Sequence, residues 1–115
     1  MSEVDALLLS CAIEAPVAAI LAWALRWGHA GRAALAATLA TLMTHGIAWR
    51  AILWLLEGLG YPLAVLLVET GVVAAEAIAY RLIVPLDLRR ALAVSLIANA
   101  ASTGAGLALY AFGLA

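Results

Sequence analysis

Along this chain the polar positions are sparse, and most of them gather at 26–32, 57–62 and 85–90. Between these clusters lie long runs dominated by Ala, Leu, Ile and Val. A helix that crosses a bilayer needs roughly 20 apolar residues, and the runs are of that length. The pattern predicts four membrane-spanning helices, at about 5–25, 33–56, 63–83 and 88–112. The first carries Glu14 and is interrupted at Pro16. The second carries Thr38, Thr41, His45 and Trp49 at helical spacing, with Arg50 near its far end. The third holds Glu69 and Glu76, which are seven residues apart and so share a helix face. The fourth presents Ser95, Asn99 and Ser102 on one face, and Asp87 is placed to cap it.

Composition narrows the class. The 115 residues are 68% hydrophobic and 11% charged, far from soluble usage. Four spans use up the chain and leave no room for a soluble domain. The expected fold is an all-α integral membrane protein, a bundle of four transmembrane helices, with the lipid bilayer as its partner. The six cations are all arginine and form no basic patch, which excludes nucleic acid as a partner. Cys11 stands alone and has no partner for an internal disulfide. The start of the chain, with Glu3 and Asp5, is acidic where a signal peptide would be basic, so the first run reads as a mature span. Arg26, Arg32, Arg81, Arg89 and Arg90 flank the first and third loops. Cytoplasmic loops carry the arginine excess, so those loops should be inside and both termini outside. Trp23, Trp27, Trp49 and Trp54 sit near span ends, as an aromatic belt does.

The halves of the chain resemble each other. Glu14 aligns with Glu69, and Arg26 with Arg81, at an offset of 55. In the second helix of each half, Arg32 aligns with Arg90, Thr41 with Asn99, Thr44 with Ser102 and Gly46 with Gly104, at an offset of 58. Two tandem helical hairpins related as a parallel internal repeat would place Glu14 and Glu69 as equivalents facing the centre. At a rise of ~1.5 Å per residue, Glu14, His45, Glu69 and Ser102 come to about 15–23 Å from the cytoplasmic boundary. Glu76 and Asn99 come to about 10–15 Å.

Those same residues carry a resemblance. Glu14 in the first span, Thr41 through Gly46 in the second, and Glu69, Val73 through Ala77, Tyr80 and Arg81 in the third are its first elements. Ser95-Leu96, Asn99, Ser102 and Gly106 in the fourth complete it. The chain resembles a family of small uncharacterised four-span bacterial membrane proteins. It departs from that pattern at Thr41, where Asn is expected, and at Gly46, where Pro is expected. The resemblance implies a multi-pass protein of the bacterial inner membrane. It brings no activity with it.

A charge at bilayer depth costs about 2.5–3.5 kcal/mol on insertion scales, so the carboxylates must face a protein interior or a wet cavity. Clustered there, they cannot all be ionised; a proton or a cation must sit among them. One expectation is therefore a carboxylate/histidine site for a proton or a divalent metal, with Glu14, His45, Glu69 and Glu76 as ligands and Asn99, Ser102 and Thr41 as polar support. Its use would be ion or small-solute transport. No recognised metal spacing is present. A second expectation is an enzyme acting on lipid head groups or lipid-linked phosphate, with His45 or Glu69 as the acid–base residue and Arg50 and Arg81 on phosphate. A third is a structural subunit of a homo-oligomer or larger membrane complex, its glutamates serving as interhelical hydrogen-bond partners.

Overall fold

Long apolar runs satisfy their own backbone as helices, and they do so across Pro16, Gly46, Gly71, Gly104 and Gly106, while Gly28, Gly60 and Pro85 fall at or between the helix ends. The computed structural model describes residues 2–114. It is all-helical: α1 (Glu3–Leu25), α2 (Ala30–Leu59), α3 (Tyr61–Ile83) and α4 (Leu88–Ala111). Each is long and apolar enough to cross a membrane. The bundle measures 41 Å along its longest axis, against a hydrocarbon core of about 30 Å.

The helix ends follow side-chain chemistry. Ser2 and Asp5 form a capping box on α1, and Asp87 accepts the Arg90 amide at 2.8 Å to cap α4. His29, exposed in the loop before α2, caps that helix by accepting the Arg32 amide at Nδ1. Gly60 alone joins α2 to α3, at φ 77, a conformation that favours glycine. Pro16 does not interrupt α1, which runs unbroken from Glu3 to Leu25. The ring points outward and removes one backbone bond from a helix held by its neighbours on both sides.

The helices form a ring in chain order. α1 packs on α2 and α4, and α3 packs on the same two, leaving α1 and α3 diagonal to each other. Short connections make the bundle up-down-up-down, so α1 and α3 run in the same direction.

The interior is built from small residues. Ten of the fourteen buried hydrophobic residues are alanines. Large side chains such as Met43, Ile47, Trp54 and Leu82 point outward, each more than 70% exposed. Small faces let helices approach closely. The burial positions recur. Ala33, Ala36, Ala37, Ala40 and Thr41 of α2 are buried, and so are Ala91, Val94, Ser95, Ala98 and Asn99 of α4, each 58 positions later. Glu14, Ala18 and Ala22 of α1 answer to Glu76, Tyr80 and Val84, 62 positions later.

The two ends of the bundle differ. At the arginine-rich end the first and third loops pack together, so closely that a Cβ on Gly28 would lie 2.7 Å from Val84 Cγ1. Tyr80 is fully buried there, its ring in a cluster with Ala18, Ala22, Ala33, Ala36 and Ala37. The end with both termini is open. Tyr80→Ala should therefore lower bundle stability by about 3–5 kcal/mol, the range for emptying a core aromatic site. Tyr80→Phe keeps the ring and removes a hydroxyl that has no hydrogen-bond partner among the described residues, so its stability should equal or exceed that of the parent. Thermal unfolding in detergent checks both.

Candidate functional site

The alanine-packed end stops at a polar layer. Helical steps of four along α1 and α3 place Glu14 above Ala18 and Glu76 above Tyr80 on the inward faces. Both carboxyl groups are almost completely buried, at 2% and 1% exposure. They come up against each other at the bundle axis. Every carboxyl oxygen meets a neutral donor from α2 or α4. The Thr41 hydroxyl donates to Glu14 Oε1 at 3.4 Å and the Ser102 hydroxyl to Glu14 Oε2 at 3.0 Å. The Asn99 amide donates to Glu76 Oε1 at 3.2 Å and the Thr44 hydroxyl to Glu76 Oε2 at 3.1 Å. Neither carboxyl forms an ion pair. Among the described residues the ion pair found is Arg90–Asp87, at 3.8 Å on the surface.

The hydroxyls hold a further degree of freedom. Thr44 Oγ lies 2.9 Å from the Ala40 carbonyl as well as 3.1 Å from Glu76. Ser102 Oγ lies 3.2 Å from the Asn99 carbonyl as well as 3.0 Å from Glu14. A hydroxyl has one hydrogen and two acceptor lone pairs. Turned to the carboxyl, it donates; turned to the backbone, it can accept a carboxylic acid proton. The layer can thus satisfy either protonation state without moving a helix. Ser95 and Asn99 brace it. The Ser95 hydroxyl donates to the Val73 carbonyl at 2.8 Å, and the Asn99 amide donates to the Ser95 carbonyl at 2.8 Å.

Above the layer a cavity of about 610 Å³ opens towards the end with the termini. All four helices line it. Glu14 and Glu76 form its floor; Leu9, Trp49, Ile52, Tyr61 and Tyr110 contribute apolar and aromatic wall. Its size lies within the ordinary range of small-molecule sites.

The residues expected from sequence divide between floor and wall. Glu14, Glu76, Thr41, Asn99 and Ser102 converge in the layer. Glu69 does not join them: it is half-buried on the cavity wall, two turns from Glu76 and facing Thr103. The expected pairing of Glu14 with Glu69 is replaced by Glu14 with Glu76. His45 also lies on the wall. Its Nε2–H donates to the Glu3 carbonyl at 3.2 Å, and its ring centre is 5.9 Å from that of Trp49. This ties α2 to the first turn of α1. The four residues expected as metal ligands, Glu14, His45, Glu69 and Glu76, are not drawn to one point. Among the described residues no three His, Cys, Asp or Glu side chains are grouped as a metal would need. Arg50 and Arg81 do not line the cavity; Arg50 donates to its own helix, at the Gly46 carbonyl.

Sequence reading did not find Tyr61 and Tyr110 as wall residues. They look like an interfacial turn residue and a helix end. Their rings stack with centres 6.4 Å apart, joining the start of α3 to the end of α4. The signal available was the α2 face of His45, Trp49, Ile52 and Leu56, which carries large side chains on past the polar layer.

Groups that share one network respond non-additively, and distant ones add. In a double-mutant cycle, Glu14→Gln and Glu76→Gln should couple by about 0.5–3 kcal/mol, while Glu14→Gln and Glu69→Gln should add to within about 0.5 kcal/mol. Thermal unfolding of the six proteins in detergent reads both terms; equal coupling in the two cycles would contradict this arrangement.

Comparison with known proteins finds no match to a protein family, to a curated protein or to a solved structure.

Proposed function

We propose that this is an integral membrane protein whose buried Glu14–Glu76 pair holds a proton and exchanges it through the open cavity. The single observation that carries the reading is two buried carboxyls in contact with no cation beside either. Two acceptors can bond each other only through a proton. Burying the second charge unpaired would be very unfavourable. A carboxyl pair at the bottom of a wide cavity has access to one side of the bundle only. Such a site binds and releases; it suits ion or small-solute movement, or a solute-binding subunit of a larger assembly.

Membrane insertion is supported by the inside-out distribution of side chains. Alanines and polar groups lie within, and large apolar groups lie outside with no protein to cover them. Arginine asymmetry orients the closed end to the cytoplasm and the cavity, with both termini, to the far side. The resemblance read from the sequence would make that membrane a bacterial inner membrane. The tandem repeat is supported by the hydrogen bonds. A two-fold rotation along the bundle axis would exchange α1 with α3 and α2 with α4. It would carry Glu14–Thr41 onto Glu76–Asn99, and Glu14–Ser102 onto Glu76–Thr44. The register of the first helix in each half is then two turns away from the one the Glu14–Glu69 alignment suggests.

The proton reading predicts a protonated-carboxyl band in the infrared difference spectrum between acidic and alkaline protein in lipid. That band should fall on Glu14→Gln and on Glu76→Gln, and survive Glu69→Gln in part. A band untouched by both of the first two substitutions would contradict the reading.

A further inference from the structure

A second cavity, of about 520 Å³, runs along the outer seam between α3 and α4. It meets the first at one wall. Tyr61, Val65, Glu69, Asn99, Thr103 and Leu107 line both. Little fills that seam. The groove has apolar walls from both helices, with Leu66 and Val73 of α3 facing Leu96 and Leu107 of α4 across an unfilled space. Below this level the seam closes, where Ser95 bonds the Val73 carbonyl. Glu69 stands at the junction, half-buried, with one cavity on either side of it. A carboxyl on the lipid side of a membrane helix is unfavourable unless it borders an opening.

We infer that the α3–α4 seam is a lateral way in from the bilayer, and that the occupant is a single-chain amphiphilic organic cation. Its head would lie between Glu69 and the Glu14–Glu76 floor, and its chain along the α3–α4 groove. The inference rests on the proton-exchange reading of that floor. Charge selects the head: three carboxyls line the connected space, and no arginine does. An anionic or zwitterionic lipid would bring its phosphate against three carboxyls with no arginine, and with His45 as the one basic side chain on the wall, its Nε2–H already given to the Glu3 carbonyl. Shape and polarity select the tail. The groove offers apolar side chains such as Val65, Leu66, Leu96 and Leu107, which a hydrated inorganic ion cannot use. Binding balances without a covalent step. The cation arrives, the proton shared by Glu14 and Glu76 leaves to solvent through the open mouth, and the net charge of the site is unchanged.

The test uses full-length protein in phosphatidylcholine nanodiscs with three probes: dodecyltrimethylammonium, tetramethylammonium and the neutral dodecanol. Proton release is followed with a pH-indicator dye, and empty nanodiscs are subtracted. Dodecyltrimethylammonium should release about one proton per protein, by linkage of the two bound cations. Dodecanol should release none, and Glu14→Gln/Glu76→Gln protein should release none with any probe. Tetramethylammonium should need at least about ten-fold higher concentration, since it leaves the apolar groove unused. Ala100 lines the groove and not the axial cavity. Ala100→Phe should slow the response to dodecyltrimethylammonium by about ten-fold or more and leave that to tetramethylammonium unchanged, because only the long-chain probe uses the seam. Equal potency of the two cations overturns the ligand class, and an unchanged rate in Ala100→Phe overturns the route. A carboxyl band that responds to pH in a protein that releases no proton to dodecyltrimethylammonium overturns this inference alone. Absence of the band overturns the proton reading with it.

Discussion

Two carboxyl groups pressed together without a counter-charge are the constraint on which this bundle turns. Hydrogen bonding to a carboxylate from neutral donors is modest, at about 1.5–3 kcal/mol each, and it must offset the removal of both groups from water. The chain meets that demand with four donors, two from α2 and two from α4. Because Glu14 and Glu76 lie on diagonal helices, their shared donors join all four elements at one level. The layer thereby sets the rotation of each helix, and with it which faces meet below and which diverge above.

Below the layer, small side chains do the packing. Alanine faces bring the helices close, and Tyr80 occupies the volume they leave. Above it the lining mixes small residues, such as Ala6, Ser10, Ala48 and Gly106, with large ones, Leu9, Trp49, Ile52, Tyr61 and Tyr110. The large rings hold the helices apart where the small residues do not fill the space between them, and the bundle opens into the cavity. The polar layer is the boundary between a sealed half and a hollow half. The polar layer is reached through the axial cavity, from the end of the bundle that carries both termini.

Much of the architecture was legible in the sequence. Breakers and caps marked the four helices to within a few residues. Glu14, Thr41, Glu76, Asn99 and Ser102 were recognisable because each is a polar residue on an otherwise apolar inward stripe. The register between helices was not legible. Glu69 and Glu76 share one face of α3, so periodicity alone cannot say which of them meets Glu14. That choice depends on how far α3 is displaced along the axis relative to α1, and the displacement follows from tertiary packing of Tyr80 and Val84 against alanines. The hollow half was hidden for a related reason: a cavity is a property of facing surfaces, and one helix at a time does not reveal it. His45 looked like chemistry because histidine is rare in apolar runs. Its partner is a backbone carbonyl, a group every position possesses and no sequence pattern marks.

The central claim is the contact between Glu14 and Glu76, and carbon–carbon distance in lipid tests it most directly. In bilayer-embedded protein labelled with carbon-13 at the glutamate side-chain carboxyl carbon, solid-state NMR should give a cross-peak between Glu14 and Glu76. That cross-peak should vanish on Glu76→Gln made without the label at position 76. A cross-peak joining Glu14 to Glu69 instead, or none from Glu14 to any glutamate, would contradict the account.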